Sequence, residues 1–562
     1  MENTQLVLTE RCVGFCSRHG NDWEQDEARF HRMAKPFRGT RTIPSVIACA
    51  LALLLRCSVP AQAQKTSSDT FHEEAASPVV LDVTVLDSQG QPVVHGLERN
   101  DFTIRQDGRT QTILSFEMPQ ATASDSQAMH ATHAPAMILV LDLLSSPFAD
   151  AGYLRSQLRQ YLEAQPEPLP APTELMVLAA NSLQAAQNFT RSKAALLAAL
   201  DKVPVASSFE ATSGAFGYDR FGQTVNALEQ LALQNRGVAG KKDIFWLGRG
   251  FIGIRPIDFT YKSQEQADQF LHRATNLMVE ARESLFVFYP PGGSIRSQVA
   301  LAANAPPDSR NPFAQNINLG VFVSETGGHF YDGNDIGREM AQAQEAAAQY
   351  YTLRYQPNFA PANGAFQSIQ VSVDRSGLQI AAPAGYFAPA SAAPIEAIRT
   401  ELAELSQAAQ STIAYHGSDL TVRSLIRHPD SGTELVTIAL RSTHLVWHPG
   451  SNGKSSADVT FAAASLSSSG QVLGYTVRSI SITSPTQNPA LLTASGTLVS
   501  ILVHVPPRTA RVRVVAQAAD NGWISSVDLD RATLDAAPAT RTPDPTLIQR
   551  SFDPAAPTTQ KP

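Results

Sequence analysis

The stretch LVLDLLSSPF, Leu139 to Phe148, is an apolar run that ends in an acid, Asp142, with two hydroxyls, Ser145 and Ser146, just beyond it. Hard oxygen donors at the end of a buried strand suit a divalent cation: Mg²⁺ takes about six oxygens, retains water, and leaves a position for a partner's carboxylate. Other stretches carry weaker chemistry. Ser324 in VFVSETGGHF lies near His329, but there is no G-x-S-x-G elbow and no acid can be assigned to orient a base, so the chain is not expected to be an enzyme. The segment TGGHFYDGND is rich in oxygens but lacks EF-hand spacing; it is expected to be a polar turn in which Asp332 or Asn334 caps the next helix. His444 and His448 are four apart in a β-like context without H-E-x-x-H, which argues against zinc. FYPPGGSI, from Phe288, lacks the spaced glycines and Lys-Ser/Thr pair of a phosphate loop and is expected to be a tight loop after Tyr289. Tyr218 and Phe221 in FGYDRFG are expected to serve packing.

These residues need a scaffold, and the chain is long enough for several domains: its 562 residues exceed what one core fills. With 43% hydrophobic and 17% charged residues it reads as globular, and a net charge of -7 gives no general electrostatic reason to hold nucleic acid. Residues 1–63 form an export signal region. A basic stretch with Lys35, Arg38 and Arg41 precedes the apolar core IPSVIACALALLL and the small-x-small site ending AQA at Ala63. The acidic residues upstream are atypical of such a signal, and translation is expected to begin at Met33. An uncleaved anchor is disfavoured because the apolar core falls short of the ~20 residues a membrane span needs. All four cysteines, Cys12, Cys16, Cys49 and Cys57, precede Ala63. The mature chain therefore has neither disulfides nor a thiolate nucleophile. It is expected to be periplasmic, surface-associated or secreted, with no stable membrane span after cleavage.

Beyond a polar lead-in at 64–76, residues 77–118 alternate in hydrophobicity between turn signals and are expected to form a small antiparallel β module. A polar linker follows. Between 135 and 390 the pattern becomes an alternation of strands and helices: AMILVLDLL, YLRSQLRQYLEAQ, TELMVLAAN, SKAALLAALDKV, TVNALEQLALQN, KKDIFWLGRGF and QFLHRATNLMVEARESLFVFYP. Such alternation predicts a doubly wound α/β domain. NINLGVFVSETGGHFYDG is expected to add a short strand. YYTLRYQP, FQSIQVSVDR and GLQIAAPAGYF are expected either to complete the sheet edge or to append a hairpin. Residues 391–424 read as a linker with helical character, 425–532 as a β-sandwich, and 533–562 as a disordered Pro/Thr/Ala-rich tail. The predicted fold class is thus multidomain, a central α/β domain flanked by β-rich modules with a C-terminal β-sandwich.

The phrases VLDSQGQPVVHGLERNDFTIRQDG, LVLDLLSSPFADAGYLRSQL, KKDIFWLGRGF, TGGHFYDGNDI, YYTLRYQP and GYF together resemble bacterial secreted proteins with a von Willebrand factor type A-related domain, of the variety common in acidobacteria. The resemblance spans about 78–390. It implies a metal corner in which the strand-end acid and two serines at two-residue spacing are joined by a threonine and a late aspartate. Asp142 matches the acid, Ser146 the second serine and Thr224 the threonine, whereas Leu144 occupies the first serine's place and Arg249 the aspartate's. Leucine supplies no oxygen, and a guanidinium has only donors and a fixed charge that repels a cation. Three states stay open: a degenerate Mg²⁺ or Ca²⁺ site through Asp142, Ser146 and Thr224, an Asp142–Arg249 pair or network in place of the ion, or neither. The resemblance implies no established enzyme chemistry. Asp142, Ser146, Thr224 and Arg249 are the expected ligand-binding edge, with no resident cofactor expected and another protein or a cell-envelope component as partner. The expected function is protein binding, adhesion or envelope scaffolding; the alternatives are a secreted hydrolase or a purely structural envelope component.

Overall fold

The computed structural model describes residues 78–119, 135–179, 182–204, 214–236, 238–251, 261–290, 312–313, 317–358, 364–388, 394–429, 431–441, 445–450, 454–484, 496–539 and 549–551. The export signal region, the lead-in at 64–76, nearly all of the linker before Ala136 and His444 lie outside the described residues.

The first strands are β1 (Val79–Leu86), β2 (Phe102–Gln106), β3 (Arg109–Gln111) and β4 (Ile113–Glu117). The α/β region follows: β5 (Ala136–Asp142), α1 (Phe148–Ala164), β6 (Thr173–Ala179), β7 (Ser182–Thr190), α2 (Lys193–Lys202), α3 (Gly214–Asn235), β8 (Lys242–Leu247), α4 (Tyr261–Glu280), β9 (Glu283–Phe288), α5 (Leu319–Glu325), β10 (Phe330–Tyr331) and α6 (Ile336–Ala347). Its six-stranded sheet has the order β10-β9-β8-β5-β6-β7 and is parallel except for β7, which runs antiparallel to β6. Strand periodicity sorts the side chains into two cores. Leu139, Leu141, Leu175, Phe245 and Phe288 face α1, α2 and α6. Ile138, Val140, Met176, Trp246 and Val287 face α3, α4 and α5. Coverage on both faces explains why these strands are almost uninterrupted apolar runs.

The strands that follow, β11 (Tyr351–Tyr355), β12 (Phe366–Val373), β13 (Gln379–Ala381) and β14 (Gly385–Phe387), correct the expectation that they would complete the edge of the α/β sheet; of the other expectation, an appended hairpin, the antiparallel pair β12–β14 is present. β11, β12 and β13 pair instead with the N-terminal strands, and β14 with β12, in the sheets β13-β1-β11-β4 and β14-β12-β2-β3. Leu81, Val83, Ile104, Tyr351, Leu353 and Tyr355 share the core between these sheets. The α/β region is therefore an insertion between β4 and β11 of one β module. Arg282, left-handed at φ 57°, ties the two together through its Nε, which donates to Asp82 Oδ2 at 2.9 Å. A second correction concerns GVFVSE, which is the helix α5; the expected strand is reduced to β10.

Helix α7 (Pro394–Gln410) buries Leu405, Ala408 and Ala409 in the same apolar cluster as α3, α4 and the following β domain, so it is more than a join. That domain comprises β15 (Asp419–His428), β16 (Thr433–Arg441), β17 (His448–Pro449), β18 (Ser455–Leu466), β19 (Val472–Thr483), β20 (Thr497–His504), β21 (Arg511–Ala518), β22 (Ile524–Asp530) and β23 (Gln549–Ser551). Its sheets are β15-β16-β20-β23 and β17-β18-β21-β22, with β19 also on β18, around Val436, Ile438, Phe461, Val499 and Val514. The first strand starts before the expected residue 425. The helix Arg531–Asp535, capped by Asp530, runs into the segment 533–562 expected to be disordered, and within that segment β23 pairs with β20.

Candidate functional site

Asp142 closes β5 at the carboxyl end of the central sheet, where open α/β folds place their ligands. Its side chain is fully buried. Oδ1 accepts from the Ser145 backbone N–H at 2.9 Å; Oδ2 accepts from the Gly250 N–H at 2.9 Å and from the Trp246 indole at 3.3 Å. Burial pushes the carboxyl up to about 6, and these donors hold it from rising further. The acid thus fastens the loop after β8 to the end of β5.

The glycines of WLGRG make that contact possible. Gly248 has φ 152°, and a Cβ there would lie 2.5 Å from the Asp142 Cβ. Gly250, at φ 59°, would meet Leu319 at the same distance. Only glycine adopts these positions without strain or collision.

The other expected site residues gather around the same edge with different roles. Ser146 and Thr224 are fully buried, and the Thr224 hydroxyl has no hydrogen-bond partner among the described residues. Phe221, one turn before Thr224, meets Phe251 edge to face at 5.1 Å, which seats α3 against the loop after β8. Leu144 packs into the core on the Trp246 side of the sheet. Arg249 corrects the proposed Asp142 pair: its Nε donates to Asp150 Oδ2 at 2.5 Å, in the first turn of α1, with side chains 21% and 17% exposed. The guanidinium also lies over the Tyr289 ring, 5.5 Å from its centroid.

This arrangement does not fit a resident divalent cation. Three N–H donors point at the Asp142 oxygens that would have to ligate it, and the neighbouring loop carries a guanidinium. No group of three or more His, Cys, Asp or Glu among the described residues could hold a metal. The geometry instead offers a half-buried ion pair on an aromatic ring at the rim of a tightly hydrogen-bonded corner.

The remaining candidates fall elsewhere. Ser324 lies on α5, its hydroxyl directed to the Gly320 carbonyl at 3.4 Å. Asp335, rather than Asp332 or Asn334, caps α6 through the Arg338 N–H, while the Asn334 carbonyl accepts from the Tyr153 hydroxyl. His448 pairs with Asp520 at 2.9 Å. Phe221 is buried; the side chain of Tyr218 and residues 291–295 lie outside the described residues. The sequence gives no direct sign of Asp150 or Tyr289 as partners of Arg249, since each joins it only through the fold. Nor does it reveal Glu174, buried near the start of β6, which accepts from the Gln234 side chain at 2.8 Å and is pushed up to about 8 by burial.

No family model and no curated protein matches the chain. Among solved structures it is similar to the VWA domain of SpRpn10, at 16% identity and TM-score 0.23, covering 38% of this chain and 97% of that one. It is also similar to proximal thread matrix protein 1 from the mussel byssus, at 8% identity and TM-score 0.25, covering 38% and 48%. The human COPII-coat protein Sec24c gives 10% identity and TM-score 0.23, covering 46% and 44%. The resemblance to a von Willebrand factor type A fold is weak and partial, and at these values it assigns neither family nor function.

Proposed function

We propose that the chain is an exported, non-catalytic protein-binding, adhesion or envelope-scaffold protein, and that its α/β region recognises a partner by fixed charge rather than through a bound cation. The observation that carries this reading is the Arg249–Asp150 pair over Tyr289, beside an Asp142 already committed to three N–H donors. A carboxylate from a partner protein competes with Asp150 for the guanidinium and takes the place that a metal-bound carboxylate has in a cation-dependent site. Export is supported by the signal-like residues before Gln64 and by the lack of cysteine after Cys57. Among the described residues no helix is long and apolar enough to cross a membrane.

The test is photo-crosslinking of the full chain in a cell-envelope fraction, with and without EDTA, followed by quantification of each identified partner. The crosslinks are expected to survive EDTA and to fall about tenfold in Arg249→Ala, the scale of a lost charge-assisted hydrogen bond, with circular dichroism unchanged. Loss on chelation, or equal yield from a folded Arg249→Ala, contradicts the reading.

A further inference from the structure

A cleft of about 340 Å³ opens where the inserted α/β region meets the β module, and it shares no lining residue with the Asp142 corner. Its size falls in the ~300–1,000 Å³ range of small-molecule sites, which favour domain junctions. One wall is bare backbone. Gly327 has φ 70°, and a Cβ on Gly328 would lie 1.8 Å from the Leu285 carbonyl oxygen, so this turn is wedged against β9.

Four glutamines line the cleft from three directions: Gln89 and Gln91 from the turn after β1, Gln379 from β13 and Gln342 from α6. All four are exposed, and none has a side-chain hydrogen bond to another described residue. His329 and Tyr331 add aromatic surface, their rings edge to face at 4.7 Å, and Tyr331 is fixed by stacking on Phe288 at 4.9 Å. Among the described residues Glu345 is the one carboxylate of the lining, and no lysine or arginine lines it.

That composition discriminates among ligands. A phosphate or carboxylate would meet Glu345, and the nearby Lys241, behind Phe286, is buried and already paired with Asp243; an apolar ligand would bury free amides at a cost. Primary amides present donor and acceptor side by side, matching adjacent hydroxyls that both give and take hydrogen bonds. We infer that the cleft binds a neutral saccharide, held by Gln342, Gln379 and the turn glutamines against the Tyr331–His329 surface.

Isothermal titration calorimetry of the full chain with cellotetraose, maltotetraose and N,N′,N″,N‴-tetraacetylchitotetraose tests this. Saturable binding of at least one is expected. Gln342→Ala and Gln379→Ala, both at exposed positions, should each weaken it about tenfold, whereas Glu345→Gln keeps it within about threefold because the amide retains an acceptor oxygen at that position. No saturable binding of any of the three sugars by the folded protein overturns the inference, as does binding unaffected by both alanine variants. Loss of binding in Glu345→Gln beyond that range also overturns it, because the carboxylate rather than the glutamine amides would then hold the sugar. The Arg249→Ala variant should bind sugar normally, so failure here and failure at the Asp142 edge are distinguishable.

Discussion

Asp142 holds three donors from two parts of the chain, and removing its carboxylate leaves all three buried without an acceptor. Each orphaned donor costs about 1–3 kcal/mol, partly offset because the ionised acid is itself penalised by burial. Asp142→Ala is therefore expected to lower unfolding free energy by about 2–4 kcal/mol at neutral pH, measured by urea denaturation. A neutral or stabilising effect would mean that the acid is not the fastener of this corner. The acid and its place at a strand end were legible in LVLDLL, and so were the misfits at Leu144 and Arg249. What was not legible is where the hydrogen bonds run: Trp246 and Gly250 lie about a hundred residues away in sequence, and spacing within one stretch carries no information on such partners. Arg249 shows the same limit, since the charge was evident but the choice of Asp150 over Asp142 depends on how α1 leaves the sheet.

Periodicity identified most of the helices and strands, and its failures have physical causes. In α5 six of seven residues are buried, including Val321, Phe322 and Val323. A short apolar run buried all round has no face to betray its period, so it reads equally well as a strand. The destination of β11–β14 failed differently: their alternation was visible, but pairing with β1, β2 and β4 closes across the whole inserted region, and local pattern does not encode a partner so distant. The sequence of α7 reads as helical, within a linker. Its packing predicts more, because Leu405 is fully buried between the α/β region and the C-terminal sandwich. Leu405→Ala is expected to cost about 2–5 kcal/mol in unfolding free energy. A loss below about 0.5 kcal/mol, the level of a surface substitution, would restore the linker interpretation.

At the scale of the whole molecule, an α/β region interrupts one β module, and a β-sandwich docks on it through α7. Buried acids near the opposite end of the sheet from Asp142 make this assembly sensitive to pH. Glu174 is the clearest: burial raises its pKa from 4.5 to about 8, so the folded chain retains a proton that the unfolded chain releases. Its contribution to stability is complete below the unfolded value and is lost as pH rises through the folded one. Between pH ~5 and ~9, thermal unfolding of the wild type should therefore decline more steeply than that of Glu174→Gln, which still accepts from Gln234. Parallel profiles would place the titration elsewhere. At the other end of the sheet, the strand-end corner works by fixed charge without a cation. Anomalous diffraction from crystals of the full chain grown with Mn²⁺ tests it most directly. A corner of fixed charge shows no Mn²⁺ peak at Asp142, with Gly250 N–H on its Oδ2 and Arg249 on Asp150; an ordered Mn²⁺ bound by Asp142 and Ser146, with Arg249 turned away, would contradict it.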